Sequence, residues 1–295
     1  MTRGICLALL PRAFHFRTCN EGDIPSSRQE VYFCYLRYAS VGGDTMSFGV
    51  LTLNFWNINE PLDTRYGALE TGLKRLRPDI VCLQEVDRDP KSGRSQSEII
   101  AKMCGHAQVV EDNGLAIVCS IPVVRSARVS LPEFPEDLPR GILSAELLIE
   151  NRSLFVTNTH LAYPPKMIHE RNKQAEMLLA SIKKHRSAGR RIAKILCGDF
   201  NDVADSPAVR SVLDSDEEFQ DVFAECHPNC PGVTYASHNP YVDPSWTVDE
   251  RIDYIFAGRD LVPKDCSVVF DGNNGLDFVS DHFGVFCRLA FRKPA

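Results

Sequence analysis

The chain repeatedly passes from a short apolar run to a polar or ionisable side chain. Runs of four to eight apolar or β-branched residues are typical of buried strands. An ionisable group at the end of such a strand must be paired, hydrogen-bonded or bound to a metal ion. If neighbouring strands bring these ends together, we expect an acidic cleft that also contains histidine. The polar residues concerned are Asn54, Glu85, His160, Asp199 and the pair Asp281-His282.

Apolar residues between these runs recur at spacings of three and four, which is typical of amphipathic helices. The clearest helix lies between Pro61, which suits a helix start, and Pro78, which lies beyond its end. Its apolar face is formed by Leu62, Tyr66, Leu69, Leu73 and Leu76. The same criteria predict helices over 97–104, 168–182 and 206–213 and strands over 115–118, 142–149, 154–159, 251–256, 267–270 and 283–291. This alternation favours one α/β domain with two sheets, extending from residue 46 to residue 295.

Residues 1–45 differ from the rest because they show no sustained helical or strand period. A strand-like run begins almost immediately after Met46. One interpretation is that residues 1–45 are a leader outside the functional chain, either disordered or an upstream extension. The other is a targeting or partner-binding tail.

Composition bears on the cellular compartment of the chain and on its attraction to charged ligands. A net charge of −6 over 295 residues provides no general attraction to polyanions, although a bound metal ion can reverse the potential inside one cleft. The 11 cysteines are scattered, and several lie in apolar runs. This pattern favours free thiols in a reducing compartment such as the cytoplasm over cysteines joined in a disulfide framework. Residues 4–10 lack a convincing cleavage site for secretion, and no stretch reaches the roughly 18 apolar residues of a transmembrane segment.

Glu85 is the best metal-ligand candidate in the sequence. A carboxylate at a strand end, supported by the Asn54 amide from a neighbouring strand, suits a hard, oxygen-preferring cation such as Mg²⁺, with Mn²⁺ able to substitute. The alternative is that Glu85 is a surface residue after a strand.

The segment Gly198-Asp199-Phe200-Asn201 places an acid and an amide two residues apart, so they share a face if the chain is extended. Such a pair can contact one phosphate group and its attacking water. Because Asp and Asn also form simple turns, a structural role is the alternative.

Two histidines stand beside carboxylate candidates. His282 follows Asp281, and Asp253, inside another apolar run, is its expected partner, which would fix the imidazole tautomer and raise its basicity. His160 could donate a hydrogen bond to a phosphoryl oxygen as charge develops there. A satisfied core histidine is the alternative for His160.

Three further residues are candidates for substrate binding. Arg140, in the segment Leu138-Pro139-Arg140-Gly141, could reach a phosphate, or could be an exposed loop arginine. Tyr241 and Trp246 lie in a polar, proline-containing loop before the Asp253 run and could line the substrate, or could pack beneath that loop.

Six ordered motifs resemble those of the endonuclease/exonuclease/phosphatase superfamily, the DNase I-like group. They are Leu53-Asn54, Leu83-Gln84-Glu85-Val86, Asn158-Thr159-His160-Leu161, Gly198-Asp199-Phe200-Asn201, Arg251-Ile252-Asp253-Tyr254-Ile255-Phe256 and Ser280-Asp281-His282. The resemblance implies a four-layer α/β sandwich, with two central, mostly antiparallel sheets flanked by helices. It also implies Mg²⁺-dependent hydrolysis of phosphoester bonds.

The resemblance also implies roles for individual residues. Glu85 would be the main metal ligand, assisted by Asn54, with Asp281 nearby. Asp199 and Asn201 would orient the water and the phosphate. Asp253 and His282 would form a carboxylate–imidazole dyad. His160 would stabilise the pentavalent transition state.

The substrate remains open between a nucleic acid and a phospholipid head group. The segment Arg251-Ile252-Asp253-Tyr254 departs from the signature of inositol 5-phosphatases, and His160 stands where AP endonucleases usually carry tyrosine. The leading hypothesis is a nuclease-like phosphodiesterase, and the alternative is a lipid phosphodiesterase of the sphingomyelinase type. The alternative that is not an enzyme is a catalytically silent binding module of the same fold. No protein partner can be inferred.

Overall fold

The computed structural model describes residues 47–132, 134, 138–184 and 192–293. The predicted leader over residues 1–45 therefore lies outside the described residues. In chain order the elements are β1 (Ser47–Asn54), α1 (Leu62–Leu76), β2 (Ile80–Gln84), α2 (Gln96–Cys104), β3 (Gln108–Asp112), β4 (Leu115–Cys119), β5 (Val123–Ser130), β6 (Gly141–Ile149), β7 (Arg152–His160), α3 (Ile168–Lys184), β8 (Ala193–Asp199), α4 (Pro207–Leu213), β9 (Phe219–Asp221), α5 (Val222–Cys226), β10 (Asp253–Gly258), β11 (Leu261–Val269) and β12 (Gly284–Phe291).

The strands form two six-stranded sheets. The first has the order β11-β12-β1-β2-β4-β3, and the second has the order β5-β6-β7-β8-β10-β9. Each sheet contains one parallel pair near its centre, β1 with β2 and β7 with β8, and every other neighbouring pair is antiparallel. The predicted sandwich with two mostly antiparallel sheets is confirmed.

Three apolar clusters separate the four layers. The inner cluster joins the two sheets, for example through Val50 of β1 and Val156 of β7. The second cluster packs α1 and α2 against the outer face of the first sheet, and the third packs α3 and α4 against the second sheet. Each sheet is therefore buried on both faces, which explains why its central strands are near-continuous apolar runs.

The inner faces of the central strands change from apolar to polar along their length. In β1, Phe48 and Val50 belong to the inner cluster, and Thr52 and Asn54 follow on the same face because strand side chains alternate. The same change gives Gln84 in β2, Asn158 and His160 in β7, and Asp199 in β8. The polar ends of both sheets lie at one end of the sandwich, which is where the functional site must be.

A buried polar seam connects the sheets just beneath that end. Gln84 Nε2 donates to Asn158 Oδ1 at 2.7 Å and to Thr52 Oγ1 at 3.1 Å. Asn158 Nδ2 donates to the carbonyls of Leu83 at 2.7 Å and Ala116 at 3.0 Å. Gln84 and Asn158 are fully buried, so these bonds satisfy groups that would otherwise be costly to bury. The seam fixes the position of one sheet relative to the other.

Several elements differ from the sequence prediction. β3 and β5 were not predicted because they are sheet-edge strands whose side chains are half-buried or exposed. β9 and α5 were also missed because they have only three and five residues. The β6–β7 turn was expected around residues 151–153, but it consists of Glu150 and Asn151, with φ angles of 49° and 61°. Two successive positive φ angles are typical of a two-residue hairpin turn.

Each cysteine in the described ranges is a free thiol, as the scattered pattern indicated. Among the described helices, none combines the length and the apolar character that crossing a bilayer requires.

The seam predicts a large stability effect at Asn158. The Asn158→Ala variant removes three buried hydrogen bonds at once, those to the Leu83 and Ala116 carbonyls and the one accepted from Gln84 Nε2. We expect the free energy of unfolding in urea to fall by about 2–4 kcal/mol. The exposed Asn273→Ala variant is the control and should change it by less than about 0.5 kcal/mol. Equal effects in the two variants would contradict the role of the seam.

Candidate active site

Three of the predicted site residues lie side by side in the second sheet. The strand register pairs His160 with Asp199 and Asp199 with Asp253, so the three residues occupy neighbouring positions on β7, β8 and β10. They are almost completely buried. The sheet itself therefore brings together an imidazole and two carboxylates that are far apart in sequence.

Gly198 allows β7 and β8 to approach at this point. Its φ is 147°, and a Cβ atom added to it would lie 2.0 Å from the Thr159 carbonyl oxygen. Any other residue would therefore force the strands apart. The distance of 3.3 Å between His160 Nε2 and Asp199 Oδ2 depends on this close approach.

The first sheet contributes Asn54 and Glu85. Asn54 Nδ2 donates to Asp199 Oδ2 at 3.0 Å across the sandwich and to Glu85 Oε1 at 3.1 Å. Glu85 directly follows β2 with a φ of 52°, and Asn57 Nδ2 lies 3.5 Å from its Oε2 atom. The amide of Asn54 therefore links the expected metal ligand to the carboxylate of the second sheet.

Asp253 and His282 form the predicted dyad. His282 Nδ1 lies 2.9 Å from Asp253 Oδ2, and both side chains are buried. Thr234 Oγ1 accepts hydrogen bonds from the backbone amides of Ile252 and Asp253 at 3.1 Å, which anchors the start of β10. Because Nδ1 is engaged, the other ring nitrogen of His282 is the one that faces the site, with Nε2 3.8 Å from Asp199 Oδ2.

Asp199 is the centre of the cluster. Its Oδ2 atom faces Asn54, His160 and His282, and its Oδ1 atom accepts the Asn201 backbone N–H at 2.8 Å. Burial by itself would raise the pKa of Asp199. His160, His282 and the Asn54 hydrogen bond outweigh burial and hold the pKa well below its usual range. The group therefore remains a carboxylate.

Two other acids of the site, the buried Asp253 and the half-buried Asp281, have raised pKa values. Burial raises the pKa of Asp253, and it raises the pKa of Asp281 to about 6, with Glu85 as a second cause for Asp281. Burial lowers the pKa of His282, but Asp253, Asp199 and Asp281 reverse this and raise it well above its ordinary value. The carboxylates of Asp199, Asp253 and Asp281 therefore lie close enough together to act on the pKa of His282, and Asp199 adds to burial in raising the pKa of the two other acids.

Two groups of residues could hold a cation. Asn54, Glu85 and Asp281 were predicted as ligands, and the Glu85 and Asp281 carboxylates repel each other. A second group, Asp199, Asp253 and His282, has potential ligand atoms within 4.8 Å of one another. In that group His282 Nδ1 is already paired with Asp253, whereas Asp281 borders an open cleft. The Glu85–Asp281 position is therefore the better candidate for a solvent-accessible cation.

Of the four remaining predicted residues, one lines the cleft and the other three have other contacts or positions. Asn201 Nδ2 donates to the Leu161 carbonyl at 3.1 Å, so part of its amide is used to brace the loop after β7. Arg140 is buried, not exposed, and precedes Gly141, which pairs with His160 in the β6–β7 register. Tyr241 lines the cleft beside Asp281. Trp246 packs edge-on against Tyr235, with ring centroids 5.4 Å apart, and is not part of the cleft lining.

Four residues near the site were not predicted from the sequence, and three of them lie in loops. Trp56 and Tyr235 line the cleft beside Asp281, and Asn239 Nδ2 donates to the carbonyls of Ser280 and Asp281, each at 2.9 Å. None of the three lies in a periodic segment, so the sequence offered no signal for them. Arg65 did offer a signal, because it lies on the apolar face of α1 one turn after Leu62 and one turn before Leu69.

Arg65 connects two segments that carry site residues. It is fully buried, and its guanidinium donates to the carbonyls of Phe55, Asn57 and Asn59 in the loop after Asn54. Its Nε atom donates to the Val279 carbonyl at 2.8 Å, two residues before Asp281. One side chain therefore sets the spacing between the Asn54 loop and the Asp281 segment.

The comparison with known families agrees with this geometry. A model of the Endonuclease/Exonuclease/phosphatase family matches residues 51–282, which include every element that positions the site. The chain belongs to this family. The predicted superfamily is thereby confirmed, and membership supports hydrolysis of phosphoester bonds as the class of activity.

Curated relatives match only part of the chain. Protein angel homolog 2 of Mus musculus is 30% identical over 160 residues, which are 48% of this chain and 29% of that protein. Protein angel homolog 1 of Homo sapiens is 27% identical over 177 residues, which are 52% of this chain and 26% of that protein. The chain thus spans less than a third of the length of these relatives.

Solved structures share the fold at low identity. TDP2 of D. rerio, complexed with a single-strand DNA product, has a TM-score of 0.67 at 20% identity and covers 82% of this chain and 98% of its own. The human Nocturnin catalytic domain with a bound sulfate anion has a TM-score of 0.67 at 17% identity, with 83% and 94% covered. A mannosyl-6-phosphatase of Bacteroides thetaiotaomicron has a TM-score of 0.67 at 20% identity, with 83% and 100% covered.

The buried position of Arg65 predicts a stability effect that a surface arginine does not have. In the Arg65→Lys variant, three ammonium donors on a compact head cannot reach four carbonyls on two segments. We expect the free energy of unfolding to fall by about 2–4 kcal/mol, measured by chemical denaturation.

The matched control for this prediction is Arg75→Lys. Arg75 lies on the same helix, is exposed, and donates to the carbonyl of Asn274. We expect this variant to change the free energy of unfolding by less than about 0.5 kcal/mol. A loss at Arg65 as small as that at Arg75 would show that the buried guanidinium does not hold the two segments.

Proposed function

We propose that the chain is a divalent-metal-dependent hydrolase of phosphodiester bonds. The observation that carries this proposal is the convergence of Asn54, His160 and His282 on Asp199 Oδ2. Hydrogen-bond donors from both sheets and a buried carboxylate therefore surround one small volume. Such a volume suits a tetrahedral anion and an attacking water.

The acids at Glu85 and Asp281 fit a resident cation. Both are carboxylates, the preferred ligands of Mg²⁺ and Mn²⁺, and Asn54 orients Glu85 by donating from Nδ2 to its Oε1 atom, while the Asn54 oxygen accepts the Trp56 backbone N–H. Burial and the neighbouring Glu85 raise the pKa of Asp281 to about 6, so a cation would remove an unfavourable concentration of negative charge. We propose Mg²⁺, which when bound would polarise the phosphoryl oxygens as a Lewis acid.

The protein side chains have separate tasks in this mechanism. Asp199 accepts a hydrogen bond from the attacking water and aligns it with the phosphorus atom. His282, whose Nδ1 is held by Asp253, would receive the water proton at Nε2 in its neutral form. A cation at Glu85 and Asp281 would favour that neutral form, because it would offset the carboxylates that raise the pKa of His282. His160 donates to a phosphoryl oxygen as negative charge develops. The leaving alcohol departs in line with the incoming water.

A silent binding module of the same fold is the competing hypothesis. Against it, Asp253 orients His282 at 2.9 Å and Asn54 joins Glu85 to Asp199, an arrangement that binding alone does not require. Titration calorimetry with Mg²⁺ distinguishes the two hypotheses, since a silent module need not bind the ion.

We also propose a reducing compartment, the cytoplasm, as the place of action. The support is the cysteine chemistry, because the thiols in the described ranges are free and several are buried in the inner core.

The roles of Glu85 and His282 predict a loss of activity without a loss of fold. With bis(p-nitrophenyl) phosphate and Mg²⁺, Glu85→Gln and His282→Ala should each lower kcat by at least about 100-fold. Glu85→Gln should also weaken Mn²⁺ binding measured by calorimetry, whereas His282→Ala should largely retain it. The exposed Val124→Ala variant serves as the control. Unchanged turnover in either site variant would refute the assignment.

The dyad gives a separate prediction at Asp253. Asp253→Asn keeps a hydrogen-bonding group of the same size beside His282 but removes the carboxylate that accepts the Nδ1 proton. We expect kcat to fall on the order of 10³–10⁴-fold with little change in KM. A steady-state comparison with wild type measures this. A loss that is seen only in KM would assign Asp253 to substrate binding.

A further inference from the structure

A cleft of about 600 Å³ opens beside Asp281. It is continuous with the candidate active site, because Asp281 belongs to both. Its walls are formed by the loop after β1, the start of α1 and the long loop before β10. The lining residues are Trp56, Glu60, Pro61, Tyr235, Pro240, Tyr241, Val242, Asp243, Pro244 and Asp281.

Aromatic rings form much of this wall. The rings of Trp56 and Tyr241 have centroids 5.7 Å apart and are inclined by 31°. They already contact each other, so a third flat ring cannot insert between them. Tyr235 packs edge-on against His282, with centroids 4.9 Å apart, which places a third ring next to the catalytic dyad. The cleft therefore offers several π-surfaces around a compact guest, and a base cannot be sandwiched between the rings of Trp56 and Tyr241.

The charge of the cleft has one sign. Glu60, Asp243 and Asp281 line it, and no lysine, arginine or histidine is among the described residues that form its lining. Arg65 lies behind the ring of Trp56, with its Cζ atom 5.1 Å from the ring centroid. Its donors are directed to four backbone carbonyls, and Asp281 and Glu60 are among the groups that raise its pKa against the effect of burial. The open face of the cleft is thus acidic and aromatic.

Several exposed apolar side chains lie on loops that adjoin the strands of the site. Ile58 lies after β1, Leu138 shortly before β6, Tyr163 shortly after His160, and Val248 in the loop before β10. Their exposed fractions are 39%, 68%, 59% and 51%. Half of the exposed large apolar residues in the described ranges are therefore on these loops, which would favour a substrate that presents apolar material outside the cleft.

We propose that the cleft binds a trimethylammonium group that is attached to the scissile phosphate through two carbons, as in choline phosphoesters. Aromatic faces and nearby carboxylates are the groups that recognise quaternary ammonium ions. The inference rests on the proposed function and narrows its substrate class. The phosphate lies at Asp199, and the ammonium group lies toward Glu60 and Asp243.

The reaction follows from this placement. The oxygen of water forms a bond to phosphorus, and the bond from phosphorus to the oxygen of the second alcohol breaks. That alcohol leaves with one proton, and choline phosphate remains in the cleft. A polynucleotide is disfavoured as the substrate, because its next phosphate would meet Glu60 or Asp243 and because the net charge is −6.

Calorimetry with two isosteric ligands tests the inference directly. Choline phosphate and 3,3-dimethylbutyl phosphate have the same shape, but only the first carries the positive charge. With Mg²⁺ present, we expect choline phosphate to bind about tenfold more tightly. Tyr241→Phe should retain this ratio, and Tyr241→Leu should reduce it. Equal affinities for the two ligands, or tighter binding of adenosine monophosphate that depends on Tyr241, would overturn the inference.

Hydrolysis assays separate the possible sources of the choline phosphoester. One arm uses vesicles of sphingomyelin or phosphatidylcholine, and the other uses soluble glycerophosphocholine. Faster turnover of either substrate than of thymidylyl-(3′→5′)-thymidine, a nucleotide ester whose leaving alcohol is also unactivated, supports the inference. Preference for vesicles identifies a lipid head group, and preference for the soluble ester identifies a free metabolite. Faster turnover of the nucleotide ester than of both choline esters contradicts it.

The two proposals fail in different ways. If His282 is required for hydrolysis of bis(p-nitrophenyl) phosphate but choline phosphate binds no better than its neutral isostere, only the cleft assignment is wrong. If choline phosphate binds selectively but no phosphoester is hydrolysed, the cleft assignment stands and the proposed catalytic function is wrong.

Discussion

The hydrogen bonds that join Asn158 to Gln84, Leu83 and Ala116 are the constraint on which the rest of the molecule depends. They cross the sandwich between the first and second sheets at 2.7–3.0 Å, among fully buried side chains. Apolar contacts alone could allow the two sheets to slide, because dispersion and burial are not directional. Hydrogen bonds are directional, so the seam selects one alignment. Asn54 can then meet Asp199 across the sandwich, which joins the two halves of the site.

The active site is therefore a continuation of the core with a change of chemistry. The strands that bury Val50 and Val156 between the sheets carry Asn54 and His160 a few residues later on the same face. Rigid strands hold the polar groups, while the loops beyond them supply Trp56, Tyr241 and Asp281. In the proposed function the strands hold the groups that carry out the reaction and the loops bind the substrate. Loops can vary while the strands stay the same, which allows one fold to act on different phosphoesters.

The sequence was sufficient to predict the residues at strand ends. Asn54, Glu85, Asp199 and His282 interrupt apolar runs, and a polar group in such a position has few explanations other than a site. Loops give no periodic signal, so Trp56 and Asn239 could not be predicted, and the edge strands β3 and β5 were hidden by their exposed polar faces. Arg65 could have been predicted, because a charged residue interrupts the apolar face of α1 between Leu62 and Leu69.

Gly198 has a consequence for how the protein can respond to a ligand. Because the carbonyl of Thr159 occupies the space of a missing side chain, β7 and β8 are in backbone contact beside Asp199. Neither strand can move inward, and outward movement would break the ladder of the sheet. The candidate catalytic groups on these strands, His160 and Asp199, are thus set in place before any ligand arrives. Adaptation to differently shaped guests falls to the outer loops, so new specificities can arise there without disturbing the reaction machinery.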